Sequence, residues 1–244
     1  MFIVDATLLE ALPQTTEAWR DRSLLSFSSI VQSNQFNFDY RIEVRPSTNA
    51  VNQQPVSGYT LAPEAGTGRW RIQRPISARG DRTRIEQLIR MIAQWRVEEF
   101  VSDDPAIGLT AFGLQPPEQV LAIGRGSNDL LVVQFGGSPT NRRDLVYARQ
   151  LLHTNIVLTA RTNLDILRLP YLTWRERLLL ALPTNAVQEI VGESSYTYRV
   201  RRQTNDLWQV VEPELLPVDA ELIGEFFTQM NSIAATGFEK DVVT

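Results

Sequence analysis

The 244-residue sequence contains no cysteine. Disulfides, a thiol nucleophile and thiolate metal ligands are therefore excluded, while the redox compartment stays open. Histidine occurs once, at His153. A Ser-His-Asp arrangement would have to use it, yet no nucleophile-elbow sequence accompanies it. Structural packing, partly buried beside Leu151 and Leu152, is the expectation for this side chain. No run approaches the roughly 20 apolar residues that a membrane-spanning helix needs. The opening Met1-Phe2-Ile3-Val4 lacks the basic n-region of a secretory signal. Charge of one sign is also missing. With 24 Lys and Arg against 28 Asp and Glu, the net charge of −4 argues against a general nucleic-acid binder. The remaining composition, 43% hydrophobic and 21% charged, is that of a globular chain.

What the sequence does contain is a stretch that occurs twice. Trp208 lies 138 residues after Trp70, and that offset holds without a gap from Trp70–Asp103 to Trp208–Asp241. It places Pro75 on Pro213, Asp81 on Asp219, Ile85 on Ile223, Leu88 on Phe226, Ile89 on Phe227, Ile92 on Met230 and Phe100 on Phe238. The matching positions are aromatic, apolar or helix-starting, and the differing ones are mostly polar. That is the pattern of one supersecondary unit used twice. A second marker repeats at an offset of 155, where Trp19-Arg20-Asp21-Arg22-Ser23-Leu24-Leu25 resembles Trp174-Arg175-Glu176-Arg177-Leu178-Leu179-Leu180. The first copy is therefore expected to hold a 17-residue surplus, placed in the polar runs Gln32–Phe38 and Thr48–Pro55.

Each copy reads as strand, turn, helix, strand. Trp70-Arg71-Ile72-Gln73-Arg74 alternates and stops at Pro75. Asp81 can cap a helix by accepting its free N–H groups. Ile85, Leu88, Ile89 and Ile92 then draw an apolar stripe at i, i+3, i+4 and i+7, predicting a helix from about Asp81 to Trp95, and Ile223, Phe226, Phe227, Met230 and Ile233 repeat it. Upstream, Tyr40–Val44 and Tyr59–Ala62 read as strands. Between the copies, Gln119–Ile123, Leu130–Phe135, Leu145–Arg149 and Ile156–Ala160 are strand signals separated by Gly-rich turns, and Leu164–Leu169 is a short helix. Phe238–Val243 closes the second copy. Phe2-Ile3-Val4 and a short helix through Leu8, Leu9 and Leu12 precede the first marker. Because no block stands before Phe2-Ile3-Val4 as one stands before Ile156-Val157-Leu158, the chain is expected to open within a repeat.

The expected fold is α+β: two related copies of an antiparallel β-meander, each packed by one long amphipathic helix, with a further antiparallel strand block between them. The expected divide lies near His153–Asn155, giving a first part of residues 1–154 and a second of 155–244.

Several short motifs invite chemistry and have plainer readings. Arg79-Gly80-Asp81 spells an adhesion tripeptide, but Asp81 has a helix-start duty that Asp219 repeats without it. Gly136–Arg143 could cradle an anion, but a phosphate loop opens a helix, and Leu145-Val146-Tyr147-Ala148 reads as strand. Glu98-Glu99 and Asp103-Asp104 are acidic but lack a calcium-loop spacing. No catalytic, metal or cofactor residue is assigned. The outward charges are the remaining candidates. Arg82, Arg84 and Arg90 on the first helix and Glu221 and Glu225 on the second are the expected partner surface, screened by salt if they steer binding.

The succession from Trp70-Arg71-Ile72-Gln73-Arg74-Pro75 through Glu99-Phe100-Val101-Ser102-Asp103, Phe112-Gly113-Leu114-Gln115-Pro116-Pro117, Val146-Tyr147-Ala148-Arg149 and Trp174-Arg175-Glu176-Arg177 resembles an uncharacterised bacterial tandem-repeat family, a domain of unknown function. The resemblance covers nearly the whole chain. It implies genes beside gliding-motility-type ABC transporters, an N-terminal membrane anchor outside the present sequence, and repeats on the extracytoplasmic (periplasmic) side. The expected function is a non-catalytic interaction or scaffold domain without cofactor. Its partners would be proteins, either transporter components or a second copy met through the repeats, and not nucleic acid. A hydrolase acting on envelope glycans or lipids, with carboxylates in a cleft, is the alternative.

Overall fold

The computed structural model describes residues 13, 15–25, 40–45 and 58–239. They form mixed α/β structure with antiparallel sheets of nine and four strands. Two compact units result, Met1–Glu176 and Arg177–Thr244. The expected strand over Phe2–Val4, the helix through Leu8–Leu12 and the two polar insertions lie outside the described residues. So does most of the expected Phe238–Val243 strand.

In the first unit the strands are β1 (Arg41–Arg45), β2 (Tyr59–Pro63), β3 (Trp70–Arg74), β4 (Ala78–Gly80), β5 (Glu99–Ser102), β6 (Gln119–Arg125), β7 (Asn128–Phe135), β8 (Leu145–Gln150) and β9 (Ile156–Ala160). Helices α1 (Arg82–Ala93) and α2 (Arg161–Leu167) accompany them. The sheet order is β4-β3-β2-β1-β6-β7-β8-β9-β5. The antiparallel strand block expected between the copies is β6–β9, and it continues the meander's own sheet. The reason lies in β1, which turns Ile42 and Val44 inward and pairs on its second edge with Ile123 and Leu121 of β6. The divide also falls later than His153–Asn155. Ile156-Val157-Leu158-Thr159 is buried at every position and pairs on both edges, with β8 and β5, as a central strand does.

Helix α1 begins where Asp81 Oδ1 accepts the Arg84 N–H at 3.1 Å. It turns Ile85, Leu88 and Ile92 onto the sheet, each at most 1% exposed, while Ile89 is half-buried. Trp70, Ile72, Trp95 and Phe135 complete this core, and the Trp95 and Phe135 rings meet edge to face at 6.0 Å. At the β7–β8 connection, Gly136 N–H donates to Tyr147 O and Tyr147 N–H to Gly137 O, so Gly136–Arg143 is a hairpin loop. A Cβ on Gly136 would stand 2.2 Å from the Phe112 carbonyl oxygen. Gly136→Ala is therefore expected to destabilise the first unit by about 1–3 kcal/mol, as overpacking does. A thermal melt indistinguishable from the parent's would refute that close approach.

The second unit contains β10 (Glu189–Glu193), β11 (Thr197–Arg202), β12 (Trp208–Glu212), β13 (Leu216–Pro217) and α3 (Ala220–Ser232). Its sheet runs β10-β11-β12-β13, all antiparallel, the order that β1-β2-β3-β4 has in the first. The registers correspond residue by residue. Ile72 faces Leu61 and Ala78, and Val210 faces Val200 and Leu216. The β2–β3 irregularity at Thr60/Leu61 recurs between β11 and β12 at Arg199/Val200. Ser23 bridges Arg96, and Leu178 bridges Ala234. Asp219 caps α3 as Asp81 caps α1, its Oδ1 accepting the Glu221 N–H at 2.8 Å.

The sequence offset between equivalent residues steps down along the chain. It is 155 at the bridged markers, 148 between β1 and β10, 139 between β2 and β11 and 138 from β3 onward. The first unit's surplus thus sits in its marker-to-β1 and β1-to-β2 connections, with one further residue between β2 and β3. Packing differs more than topology. Phe227 is the buried position of α3, whereas its equivalent Ile89 is half-buried and Leu88, the equivalent of Phe226, is fully buried. Ile233, expected on the apolar stripe, instead follows the helix and is 41% exposed.

Candidate functional site

The two Trp markers adopt the same local structure in different surroundings. Each follows a single 3-10 turn, Thr16–Trp19 and Tyr171–Trp174, and in each the next amide donates back to the second residue of that turn, Arg20 N–H to Glu17 O and Arg175 N–H to Leu172 O. Thr15 caps the first turn by accepting the Ala18 N–H.

After the first turn, Arg20 forms a fork on Asp103, with Nη2–Oδ1 at 2.7 Å and Nη1–Oδ2 at 3.0 Å. It also reaches Glu17 at 3.2 Å and lies 3.5 Å from the Phe100 ring centroid. The hydrogen bond it donates to Asp103 holds the Arg20 guanidinium above its ordinary pKa. The Asp21 carboxylate accepts the Ser23 N–H at 2.8 Å. The chain then crosses Trp95-Arg96-Val97 through Leu24 N–H to Trp95 O and Val97 N–H to Arg22 O. Buried Thr159 pins the far side by donating to Arg96 O at 2.8 Å, and Asn163 Nδ2 donates to Thr159 Oγ1 at 2.8 Å. Beside this crossing is a cavity of about 270 Å³ lined by Arg20, Asp21, Phe100, Gln150, His153 and Asn155 among others. Asp21 is the one carboxylate in the lining. His153 is exposed at this rim, as are Leu151 and Leu152, which corrects the partly buried position expected for it. The cause is the turn that follows β8, which carries all three outward.

The second turn is seated within the first unit. Trp174 is 3% exposed, its ring 6.1 Å from that of Tyr59. Asp81 N–H donates to Trp174 O at 2.7 Å, Glu176 N–H to Arg79 O at 2.9 Å, and Arg84 Nη1 to Thr173 O at 3.1 Å. Gly80 bridges Arg175 and is itself buried, since a Cβ there would stand 2.7 Å from Ile85 Cδ1. Arg79-Gly80-Asp81 is thus the wall of a socket for Trp174. Burial pushes the Tyr59 hydroxyl pKa upward. Trp19, by contrast, is 64% exposed, its indole N–H donating to Pro13 O.

The charged candidates divide between the units. On α1, Arg82 pairs with Glu86 at 2.6 Å, Arg90 with Glu86 at 3.5 Å, and Arg84 with Asp81 at 3.3 Å. The basic face is thus largely neutralised on its own helix. On α3, Glu221 and Glu225 are exposed, and no ion pair to either occurs among the described residues. The acidic cluster is dispersed, with Glu99 on Arg142 at 3.1 Å, Asp103 on Arg20, and Asp104 accepting the Ala106 N–H. Sequence reasoning missed β10 and its ion pairs. Glu189 bonds Arg201 at 2.8 Å and Arg199 at 2.9 Å, and the Arg201 hydrogen bond leads in holding its carboxyl below the ordinary value. It also missed that Trp174 completes the first unit. The register, read after the fact, is the signal that locates both.

Fold and site together define a mixed α/β protein with antiparallel sheets of nine and four strands, in which the Trp174 turn is packed against the end of the first sheet. The profile of the family described as "Domain of unknown function (DUF4340)" matches residues 70–243, and the chain belongs to that family. No curated protein and no solved structure matches it. Among the described residues no helix is long and apolar enough to cross a membrane.

Proposed function

We propose that this chain is a non-catalytic interaction module, one β-meander-and-helix unit laid down twice, serving in the extracytoplasmic part of an ABC-transporter-associated envelope protein. The observation that carries the reading is the reproduced framework under a changed surface. Strand order, register, helix cap and marker crossing recur at fixed offsets, while Arg41 and Arg45 give way to Glu189 and Glu193, Arg82 to Ala220, Arg84 to Leu222 and Arg90 to Thr228. A catalytic constellation has to keep its chemistry to keep its activity, whereas binding surfaces diversify on a retained scaffold. The second unit also exposes large apolar side chains, including Tyr198, Leu215, Leu216 and Leu222, as interaction surfaces do. Membrane attachment would come from an anchor, as the family resemblance implies.

Photo-crosslinking residues placed at Arg90 and Glu225 of the protein in its native cells test this. Covalent products containing an ABC-transporter subunit are expected. Crosslinks confined to cytoplasmic proteins, or none at either position, would overturn the reading.

A further inference from the structure

We propose that the Trp19 turn of one chain seats against β13 and the start of α3 in the second unit of another copy, so that this protein associates head to tail. The inference rests on the reading of one module used twice, and it names the partner as a second copy of the chain.

The socket for such a turn is already occupied once. Trp174 lies over Tyr59, with Asp81 N–H and Arg79 O bonded to the marker backbone and Gly80 bridging Arg175. At the offsets fixed by sheet register, the same positions in the second unit are Tyr198, Asp219, Pro217 and Val218. They present the same ring, the same backbone donor and the same backbone acceptor. Among the described residues β13 is the last strand of its sheet. Tyr198 is 40% exposed where Tyr59 is 1% exposed, and Leu216 and Leu222 are 46% and 62% exposed beside it.

On the complementary half the Trp19 ring is uncovered as well. Trp19-Arg20-Asp21 is the sequence counterpart of Trp174-Arg175-Glu176, with the same preceding 3-10 turn, and Trp19 is 64% exposed where Trp174 is 3%. The second socket differs in its wall, where Pro217, Val218 and Leu222 stand for Arg79, Gly80 and Arg84. Arg84 donates to the backbone Thr173 O, and Leu222 in its place has no such donor. A polar contact thereby becomes an apolar one that suits an indole anchor. Plug and socket are different surfaces of one chain, so the contact is heterologous and propagates from copy to copy.

The test uses the full chain, its Trp19→Ala variant and its Leu222→Asp variant, which sets a carboxylate against the carbonyls of the incoming turn, by sedimentation over a range of concentrations. The wild type is expected to gain mass beyond the dimer as concentration rises. Each variant alone should need about thirtyfold more protein to associate, the effect of losing a buried aromatic anchor. An equimolar mixture should form a one-to-one pair and stop there, because one variant keeps the socket and the other keeps the plug. A monomeric wild type, variants that associate as the wild type does, or a symmetric dimer that mixing does not restore would each overturn the proposal. Unchanged melting of both exposed-site variants separates lost association from lost folding. Transporter crosslinks retained in Trp19→Ala would separate failure of this contact from failure of the functional reading.

Discussion

Leu88→Asp is expected to abolish folding of the first unit, leaving the expressed chain insoluble. Leu88 is fully buried at the centre of the α1 stripe, between Ile85 and Ile92. Truncating such a leucine costs about 2–5 kcal/mol by itself. Placing a carboxylate there adds several kcal/mol more, because the described residues that form that core are apolar and offer it no cation. A domain is stable by only about 5–15 kcal/mol, so the two costs together reach the whole margin. Expression, sedimentation and circular dichroism would check this. A soluble variant melting like the parent would show that α1 does not pack as described. The sequence pattern alone ranks Ile89→Asp as equally damaging, but Ile89 is half-buried, so its aspartate can turn to water and the loss should be smaller.

Phe227→Ala should act on the second unit in the same way but leave the first intact. Phe227, 7% exposed, is the most buried hydrophobic side chain of that unit among the described residues, its ring centroid 5.8 Å from that of Trp208 and 5.5 Å from that of Phe226. Phe to Ala in a core costs about 3–5 kcal/mol, and a core resting on one ring has little left over. Hydrogen exchange is expected to show loss of protection in β10–β13 with β1–β9 unchanged. Equal loss of protection in both sheets would contradict the division at Glu176.

The elements of this fold were mostly legible because their signals are local. Trp70–Arg74 and Ile156–Ala160 are strands over the residues their alternation or apolar run marks, and Asp81 and Asp219 cap helices as their position before the apolar stripe requires. The assembly was less legible. Nothing in Gln119–Ile123 says that its partner is β1 rather than a separate block, since pairing of distant strands depends on edges left open elsewhere. The divide was placed too early because Ile156–Ala160 looks like the start of a copy while its burial on both faces ties it to β8 and β5. Strand β10 escaped notice because Gly192 follows directly on Ile190-Val191 and its other members are glutamates. The charged surface candidates were visible as residues, but the intrahelical pairs that neutralise Arg82 and Arg90 form only at i, i+4 on a completed helix.

The stepped offset between the units has a practical consequence. Arg45 and Tyr59 are separated by far more chain than Glu193 and Thr197, which only Ser194, Ser195 and Tyr196 connect, yet both strand pairs keep an antiparallel ladder. That compact turn is therefore a permissive port. A peptide tag or fluorescent reporter grafted between Ser194 and Ser195 would lengthen that connection as the β1–β2 connection is long, with the ladder of β10 and β11 carried along undisturbed.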